Sequence, residues 1–531
     1  MASTPTTKSQ VQAYRFVIRR MESALARKDA VMLHDPLGSH KRATIAGAII
    51  SCIGMIGFLV WGLFSGQGTV PKPGSVVIAK ESGSVYVVTS DEETDKRLVP
   101  MLNMASAKLL VMAKGNAQGQ AVEPTKVKEA ALAELPRGPK TGIPNAPNFL
   151  PDPEQSADPS WAICDVARLN NALSPERMQA TATVETTVVG GVANRGRELP
   201  VDRALYVEDD SSEQRYLVYR ADVPERPSTR VVKAEVTDAD PAVTEMFELN
   251  GAVPRRISTN TLNAVPEVDS LDVPELPEGT PEYDSGSYRL GDVVSRTVPG
   301  PDGEHFEYFV LLDSGKQRIS RGAAAVLHAA RYSAQEIPNA TGVLTDVDDA
   351  SEGDELDVGH FPTGVPGPIP FSEAKTSCLS WSNTSGEQRV TVTVGSSSPA
   401  PQAPVKLAQY DGQGPRVDYF YMPPGKAAVV RGTTGPDTAE GGPLYLVSDR
   451  GVTYGIKDLA TAKGLGVVNG ASDVGSAPAA VLGSLPSGSF LDPAQASVVY
   501  DSIPMDSEAG VNRPPEEESD SRPGVSASTG S

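Results

Sequence analysis

The 531-residue chain reads as a single-pass membrane protein. It has an N-terminal amphipathic helix, one transmembrane helix, a large strand-rich α+β exterior of degenerate repeats and an acidic tail. Three observations predict this class. A charge-free stretch runs over residues 43–71. The charge divides across it: residues 1–42 hold eight basic and three acidic residues, a net of +5, so the other 489 carry −25 of the overall −20. Beyond the stretch, short strand–turn–helix pieces recur. The acidic balance (pI about 4.8) argues against nucleic acid, since neutralising phosphates takes a basic face. With 39% apolar residues, 5% aromatics, 49 Gly and 45 Pro, the chain predicts short elements and many turns. Three cysteines exclude a disulfide-dense scaffold or a multi-cysteine zinc array.

Residues 1–43 form the basic arm. Val11, Tyr14, Ile18, Met21 and Leu25 recur at three- and four-residue steps, which predicts one amphipathic helix over residues 9–33. Thr7 and Gln10 form a capping-box start, and Pro36 pushes Asp35 out of helical geometry to end the helix. Arg15, Arg19 and Glu22 flank the stripe. Such a helix either lies on anionic lipid or docks with a partner's cytosolic domain. The residues expected at a docking contact are Val11, Tyr14, Arg15, Ile18, Arg19 and Arg20.

Residues 44–64 (TIAGAIISCIGMIGFLVWGLF) form the span, within a segment 44–66. At about 1.5 Å per residue, 21 residues cross a hydrocarbon layer of about 30 Å. Forty patterned residues precede it, so it reads as a retained anchor and not as a cleaved signal peptide. The positive-inside rule places residues 1–42 in the cytosol and the acidic remainder outside. Gly47, Gly54, Gly57 and Gly62 permit close helix contact, although not at strict small-xxx-small spacing.

The exterior spans residues 67–501. Strand-like segments begin at Tyr86, Tyr216, Tyr308 and Tyr445. Ala-rich helical stretches follow at residues 104–114, 321–332 and 457–464. The tetrapeptide L-P-x-G, at Leu135, Leu276 and Leu485, reads as a closing signature, and I-P-N-A occurs at residues 143–146 and 337–340. Cys52 sits in the span as a small apolar residue. Cys164 and Cys378 lie outside, where an oxidising compartment favours one bond between them over two free buried thiols. Trp161 and Trp381, each three residues from a cysteine, are expected to cover that bond. Residues 253–286 and 396–404 read as Pro-rich linkers or ordered surface loops. Residues 502–531 read as a disordered acidic tail.

Residues 6–20 (TTKSQVQAYRFVIRR), then Arg27-Lys28-Asp29, then residues 32–37 (MLHDPL) ahead of one span, resemble the N-terminus of the EccB family. EccB is a membrane-core subunit of mycobacterial type VII (ESX) secretion systems. The likeness is close over residues 6–37 and looser over the exterior. It implies repeats around a central β-rich domain, with the cysteine pair inside that domain. It implies an inner-membrane assembly subunit that scaffolds EccC, EccD and EccE, and that associates with the mycosin protease and with its own copies.

The family also carries an ATPase label, and here no catalytic residue is found to support it. No G-x-x-x-x-G-K-[ST] occurs. Gly425-Lys426 lacks the following hydroxyl, and Gly464-Leu-Gly466-Val-Val-Asn-Gly470 lacks a preceding strand. G-x-S-x-G is absent, and His34, His40, His305, His328 and His360 form no recognisable triad pattern. In the acidic run of residues 346–357, Ala350 stands where a calcium ligand belongs and Gly353 comes two positions late. The expectation is no enzyme, no cofactor and no metal. The rival classes are an extracytoplasmic enzyme and a peptidoglycan-binding anchor.

Overall fold

Each of the four tyrosine segments forms the middle strand of a three-stranded meander that runs into a helix. The computed structural model describes residues 7–502 apart from 29–35, 65–70, 91–95, 116–119, 193–195, 222–230, 237–240, 301–302, 334, 385–386, 412–415 and 435–440. The predicted acidic tail lies outside these, except for Ser502. The chain divides into two units. One holds the segment up to Pro71 with Ala79–Ser82 and Lys126–Leu135. The other holds Lys72–Ile78, Gly83–Thr125 and everything from Pro136 onward.

In the first unit, α1 (Lys8–Arg27) precedes α2 (Pro36–Phe64). The expected helix to residue 33 stops at Arg27, because Lys28 turns left-handed (φ 55°, ψ 24°) and breaks the ladder. Pro36 is not the terminator. It opens α2, where a fixed φ and a missing N–H suit the first helical position.

From Lys72 onward the chain carries four copies of a similar order of elements, the third without a strand between its two helices. The first copy runs β1 (Val76–Ala79), β2 (Val85–Ser90), β3 (Lys96–Pro100), α3 (Met104–Ala113), β4 (Thr125–Val127), α4 (Glu129–Leu132). Then come β5 (Trp161–Arg168), α5 (Pro175–Ala180), β6 (Thr183–Gly190) and β7 (Arg197–Glu198). The second copy is β8 (Arg203–Asp209), β9 (Arg215–Arg220), β10 (Val231–Glu235), α6 (Pro241–Met246), β11 (Arg255–Ile257), α7 (Thr259–Ala264). The third is β12 (Val293–Gly300), β13 (Gly303–Leu312), β14 (Gly315–Ile319), α8 (Arg321–Tyr332), α9 (Thr341–Leu344). After it follow β15 (Gly367–Pro368), β16 (Thr376–Thr384), β17 (Glu387–Gly395), β18 (Val405–Lys406) and β19 (Tyr419–Tyr421). The fourth is β20 (Ala428–Thr433), β21 (Leu444–Val447), β22 (Thr453–Ile456), α10 (Leu459–Leu465), β23 (Gly475–Pro478), α11 (Ala479–Ser484).

A two-bond backbone clip closes every copy against its third strand. Leu98 N–H donates to Pro136 O (2.9 Å) and Gly138 N–H returns to Leu98 O (3.0 Å). The same exchange joins Lys233 to Pro266 and Val268, Lys316 to Asp348 and Ala350, and Thr453 to Pro486 and Gly488. Proline suits the first position of the clip because only its carbonyl is used. The L-P-x-G at Leu135 and Leu485 therefore closes its copy. The one at Leu276 does not, since Val265-Pro266-Glu267-Val268 fills that place. The I-P-N-A pair separates as well. Residues 337–340 clip onto Ser295 of β12, whereas Ile143 N–H is held by Ser106 Oγ beside α3.

The copies pair in their packing. The first and fourth share a core in which Val87, Leu109 and Val111 meet Leu446, Ile456 and Leu465, with α3 against α10. Gly464 leaves the room that Met112 fills. Lys108, its ammonium pushed below the usual range by burial, donates Nζ–H to Leu465 O at 2.7 Å across this junction. The second and third copies share another core, where Leu217, Val232 and Phe247 meet Val310, Leu327 and Phe361, with α6 against α8. Residues 253–286 are no linker: they carry β11 and α7, and bury Val265 and Leu271.

Between them stands a seven-stranded sheet ordered β18-β19-β6-β5-β16-β17-β7. Cys164 and Cys378 face each other across β5 and β16 and are joined by a disulfide. Trp161 and Trp381 are also directly opposed, yet they do not cover the bond. Strand side chains alternate with a period of two, so a residue three positions away points to the other face. Trp161 packs with Ile163, Leu379 and Phe420 in one core, while the cysteines pack with Ala162, Val189 and Tyr421 in another.

Where this sheet meets the second copy, Asp165 is buried (4% exposed). It accepts from Thr186 Oγ1 (2.8 Å), Thr261 Oγ1 (2.9 Å), and both the N–H and hydroxyl of Ser258 (2.9 and 3.0 Å). Burial raises its pKa from 3.8 to about 6 against the pull of those donors. A folded-state pKa above the unfolded one means that the native protein keeps a proton the unfolded chain has lost. This group therefore lowers stability as pH rises from about 4 to 6, by at most about 3 kcal/mol, and adds no slope above pH 6. Asp165→Asn should remove that leg from denaturant midpoints recorded at pH 4, 5, 6 and 7. Parallel curves for the two proteins would refute the assignment.

Candidate interaction site: an exposed N-terminal helix and a bare apolar helix

At about 100° per residue, Val11, Tyr14, Ile18, Met21 and Leu25 fall within an arc of about 80° on α1. All five are exposed, from 37% for Ile18 to 80% for Leu25. Glu22 and Arg15 border this arc, about 20° and 40° beyond its edge, and Arg19 lies about 80° beyond the same edge. Arg20 lies about 100° beyond the opposite edge of the arc, and Phe16 lies opposite its centre. Gln10 Oε1 accepts from Thr7 N–H at 3.0 Å and secures the first turn. The one buried residue of α1 is Ser23, away from the stripe.

In α2, residues Arg42–Trp61 have a mean hydropathy of 2.2 and no buried residue. This is one helix long and apolar enough to cross a membrane. A Cβ added at Gly47, Gly54 or Gly57 would meet nothing within 4 Å, so that small-residue surface is open. Cys52 is a free, exposed thiol.

Several of the remaining chemical candidates are engaged within the fold. Gly425 (φ 73°) makes the turn before β20, and Lys426 Nζ reaches Glu154 O and Ser156 O at 3.4–3.5 Å. Gly466 ends α10 in the left-handed conformation, and the N–H groups of Asn469 and Gly470 point at Asp473 Oδ2, not at an open cradle. In the acidic run, Asp348 and Ala350 form the third clip. Asp354 accepts from the N–H and hydroxyl of Ser314, which hold its carboxyl below the usual range. Lys316 Nζ lies 3.6 Å from Asp349 Oδ1. His360 Nε2 lies 3.2 Å from Ser270 O. His328 is buried on α8, and burial lowers its pKa. Among the described residues no group of three or more His, Cys, Asp or Glu side chains is placed to hold a metal ion.

Fold and site together define a class: a β-rich repeat body on a chain that also carries an exposed amphipathic helix and a membrane-length apolar helix. The family model for type VII secretion system ESX-1, transport TM domain B, matches residues 3–505, and the chain belongs to that family. It is 30% identical over 470 residues to the ESX-3 secretion system ATPase EccB3 of Mycobacterium tuberculosis, covering 85% of this chain and 80% of that one. It is 27% identical over 514 residues to the ESX-5 secretion system ATPase EccB5 of the same species, covering 94% and 95%. Among solved structures it resembles a chain of an intact ESX-5 inner membrane complex (TM-score 0.62, 25% identity, 95% and 98% covered). It shares its fold with the EccB3 dimer of the ESX-3 core complex (TM-score 0.62, 24% identity, 80% and 100% covered).

Proposed function

We propose that this chain is a non-enzymatic scaffold subunit of an ESX membrane complex. The observation that carries the reading is the exposed apolar stripe of α1 beside the bare helix α2, on a chain whose relatives occur in ESX inner membrane assemblies. In this reading α1 lies in the cytosol and docks with segments of EccC, EccD and EccE. Residues 44–64 cross the inner membrane once and pack with neighbouring spans. The acidic body lies in the periplasm, where it meets its own copies and the mycosin protease. The disulfide supports an oxidising compartment for that body. The work of transport falls to a partner motor.

The relatives are named as ATPases, and this chain's sequence carries no G-x-x-x-x-G-K-[ST] motif. Affinity purification of the tagged full chain in mild detergent tests both halves of the reading. The expected result is co-purification of ESX membrane subunits, with nucleotide hydrolysis that disappears when the motor subunit is inactivated. Hydrolysis that survives motor inactivation but vanishes on a point change in this chain would overturn the scaffold role.

A further inference from the structure

The middle strand of the third copy outruns its partner. β12 pairs with all of Gly303–Val310 of β13, but β14 pairs only with Tyr308–Leu312. The chain leaves the sheet at Ser320 to start α8. Among the described residues, Gly303–Glu307 therefore have no strand on the β14 side. In the other copies the third strand covers the middle one to within one residue: β3 pairs with Tyr86–Ser90, β10 with Tyr216–Arg220 and β22 with Leu444–Val447.

The register fixes which backbone groups this leaves open. Leu311 N–H donates to Asp292 O at 3.0 Å, and Leu311 O accepts from Gly291 N–H at 2.7 Å, so Leu311 faces the β12 side. Backbone groups alternate between the two edges of a strand, so His305, Glu307 and Phe309 face β12 as well. Glu304 and Phe306 turn their N–H and C=O to the open side. Both residues are exposed, Phe306 at 53%. An open edge of this kind is a pairing template, which folds ordinarily blunt.

A groove of about 760 Å³ lies here, walled by residues 305–308 of β13 and by residues 317–321, where β14 ends. Arg318 is 70% exposed, and Arg321 is exposed too. The carboxylate of the wall, Glu307, is shared by Arg318 and Arg296. The wall thus carries net positive charge on a chain of net charge −20. Arg318 lies opposite Phe309, and Ile319 opposite Tyr308. Glu307 and Arg318 therefore share one face of the sheet, and Phe306, Tyr308 and Ile319 share the other.

We infer that this edge accepts an extended acidic segment of another polypeptide as an added strand. The segment continues the line of β14 along β13 and exchanges backbone hydrogen bonds with Phe306 and Glu304. Its side chains alternate, with carboxylates on the face of Arg318 and apolar groups beside Phe306. The five open residues span about 17 Å of strand. The chain's own acidic tail suits the site poorly, because Pro514, Pro515 and Pro523 interrupt it and no apolar residues alternate with its carboxylates.

The probe is a fluorescein-labelled peptide of alternating valine and glutamate, read by fluorescence anisotropy on the full chain in detergent. It should bind saturably, and the same peptide with lysine for glutamate should bind at least about tenfold more weakly. N-methylation of the valines blocks the edge that meets Phe306 and should abolish binding. N-methylation of the glutamates alters the outer edge and should spare it. Phe306→Pro removes the receiving N–H where an edge tolerates proline, and should weaken binding by about tenfold. Arg318→Glu with Arg321→Glu should weaken it as much, which keeps the test decisive if Phe306→Pro disturbs the hairpin. Equal effects of the two N-methylations, or no binding of the valine–glutamate peptide, would overturn strand addition. Undiminished binding of the lysine peptide would overturn the acidic class. Deletion of residues 503–531 should leave the affinity unchanged, and Phe306→Pro should leave the oligomeric state unchanged in light scattering. A large gain in affinity on that deletion, or a loss of self-association in that variant, would overturn the assignment to another polypeptide and give the edge to the tail or to a second molecule of this chain.

Discussion

Tyr14→Ala combined with Ile18→Asp is expected to strip the neighbouring ESX subunits from this chain in a detergent pull-down. Both side chains lie on the exposed stripe of α1, at 69% and 37% exposed. Burying a large apolar side chain contributes about 1.5–3 kcal/mol, and aromatic anchors at interface centres reach 2 kcal/mol or more. An aspartate placed in an apolar contact adds the desolvation of an unpaired charge. Together these weaken a docking contact by well over about a hundredfold. The helix itself loses only a few tenths to about 1 kcal/mol of intrinsic propensity, so circular dichroism should show it intact. Phe16→Ala with Arg20→Ala changes the other side of α1 and should keep every partner. Retention of all partners by the Tyr14/Ile18 variant would remove the docking role. A lipid-lying helix would then be the surviving explanation, revealed by salt-sensitive binding to anionic vesicles.

The second large effect concerns the central sheet. Cys164 and Cys378 are separated by 214 residues, and their bond closes the whole of the second and third copies into one loop. In the chain-entropy account, cross-linking so long a loop stabilises by up to about 5 kcal/mol. Cys164→Ala with Cys378→Ala should therefore shift the denaturant midpoint of the full chain sharply downward, and reduction of the unaltered protein should match it. Alanine suits these sites, since both face an apolar cluster with Ala162, Val189 and Tyr421. An unchanged midpoint would mean that the β5–β16 ladder already holds this register without the covalent link.

The order of elements was readable wherever one residue pattern dominated. The uncharged run that became α2, the stripe of α1, and the tyrosines of the four middle strands were all visible in the residue pattern. The helices at residues 104, 321 and 457 followed from their alanines. The repeat closures were only half visible, because the clip uses backbone groups alone. Pro136, Pro266 and Pro486 mark the first, second and fourth copies, while Asp348 marks the third with no sign of its role. The tryptophans were misplaced for a geometric reason: a spacing of three brings helical residues together but puts strand residues on opposite faces. The stop at Lys28 had no marker either, since a lysine in a left-handed conformation leaves no compositional trace. On the candidate interaction site, the periodicity placed Val11, Tyr14 and Ile18 on one exposed stripe, with Arg15 at its edge and Arg19 and Arg20 further round the helix.

The first and last copies complete a single core, and this sets a rule for how the polypeptide matures. Synthesis delivers α3 early, but its apolar face gains α10 only after some 350 further residues have emerged. Contacts of such wide sequence separation form late, and unfinished apolar surface attracts wrong partners in the interval. The protein cannot accumulate stability copy by copy as a linear solenoid does. A polypeptide released before its fourth copy therefore leaves the half-core of α3 without α10 to cover it.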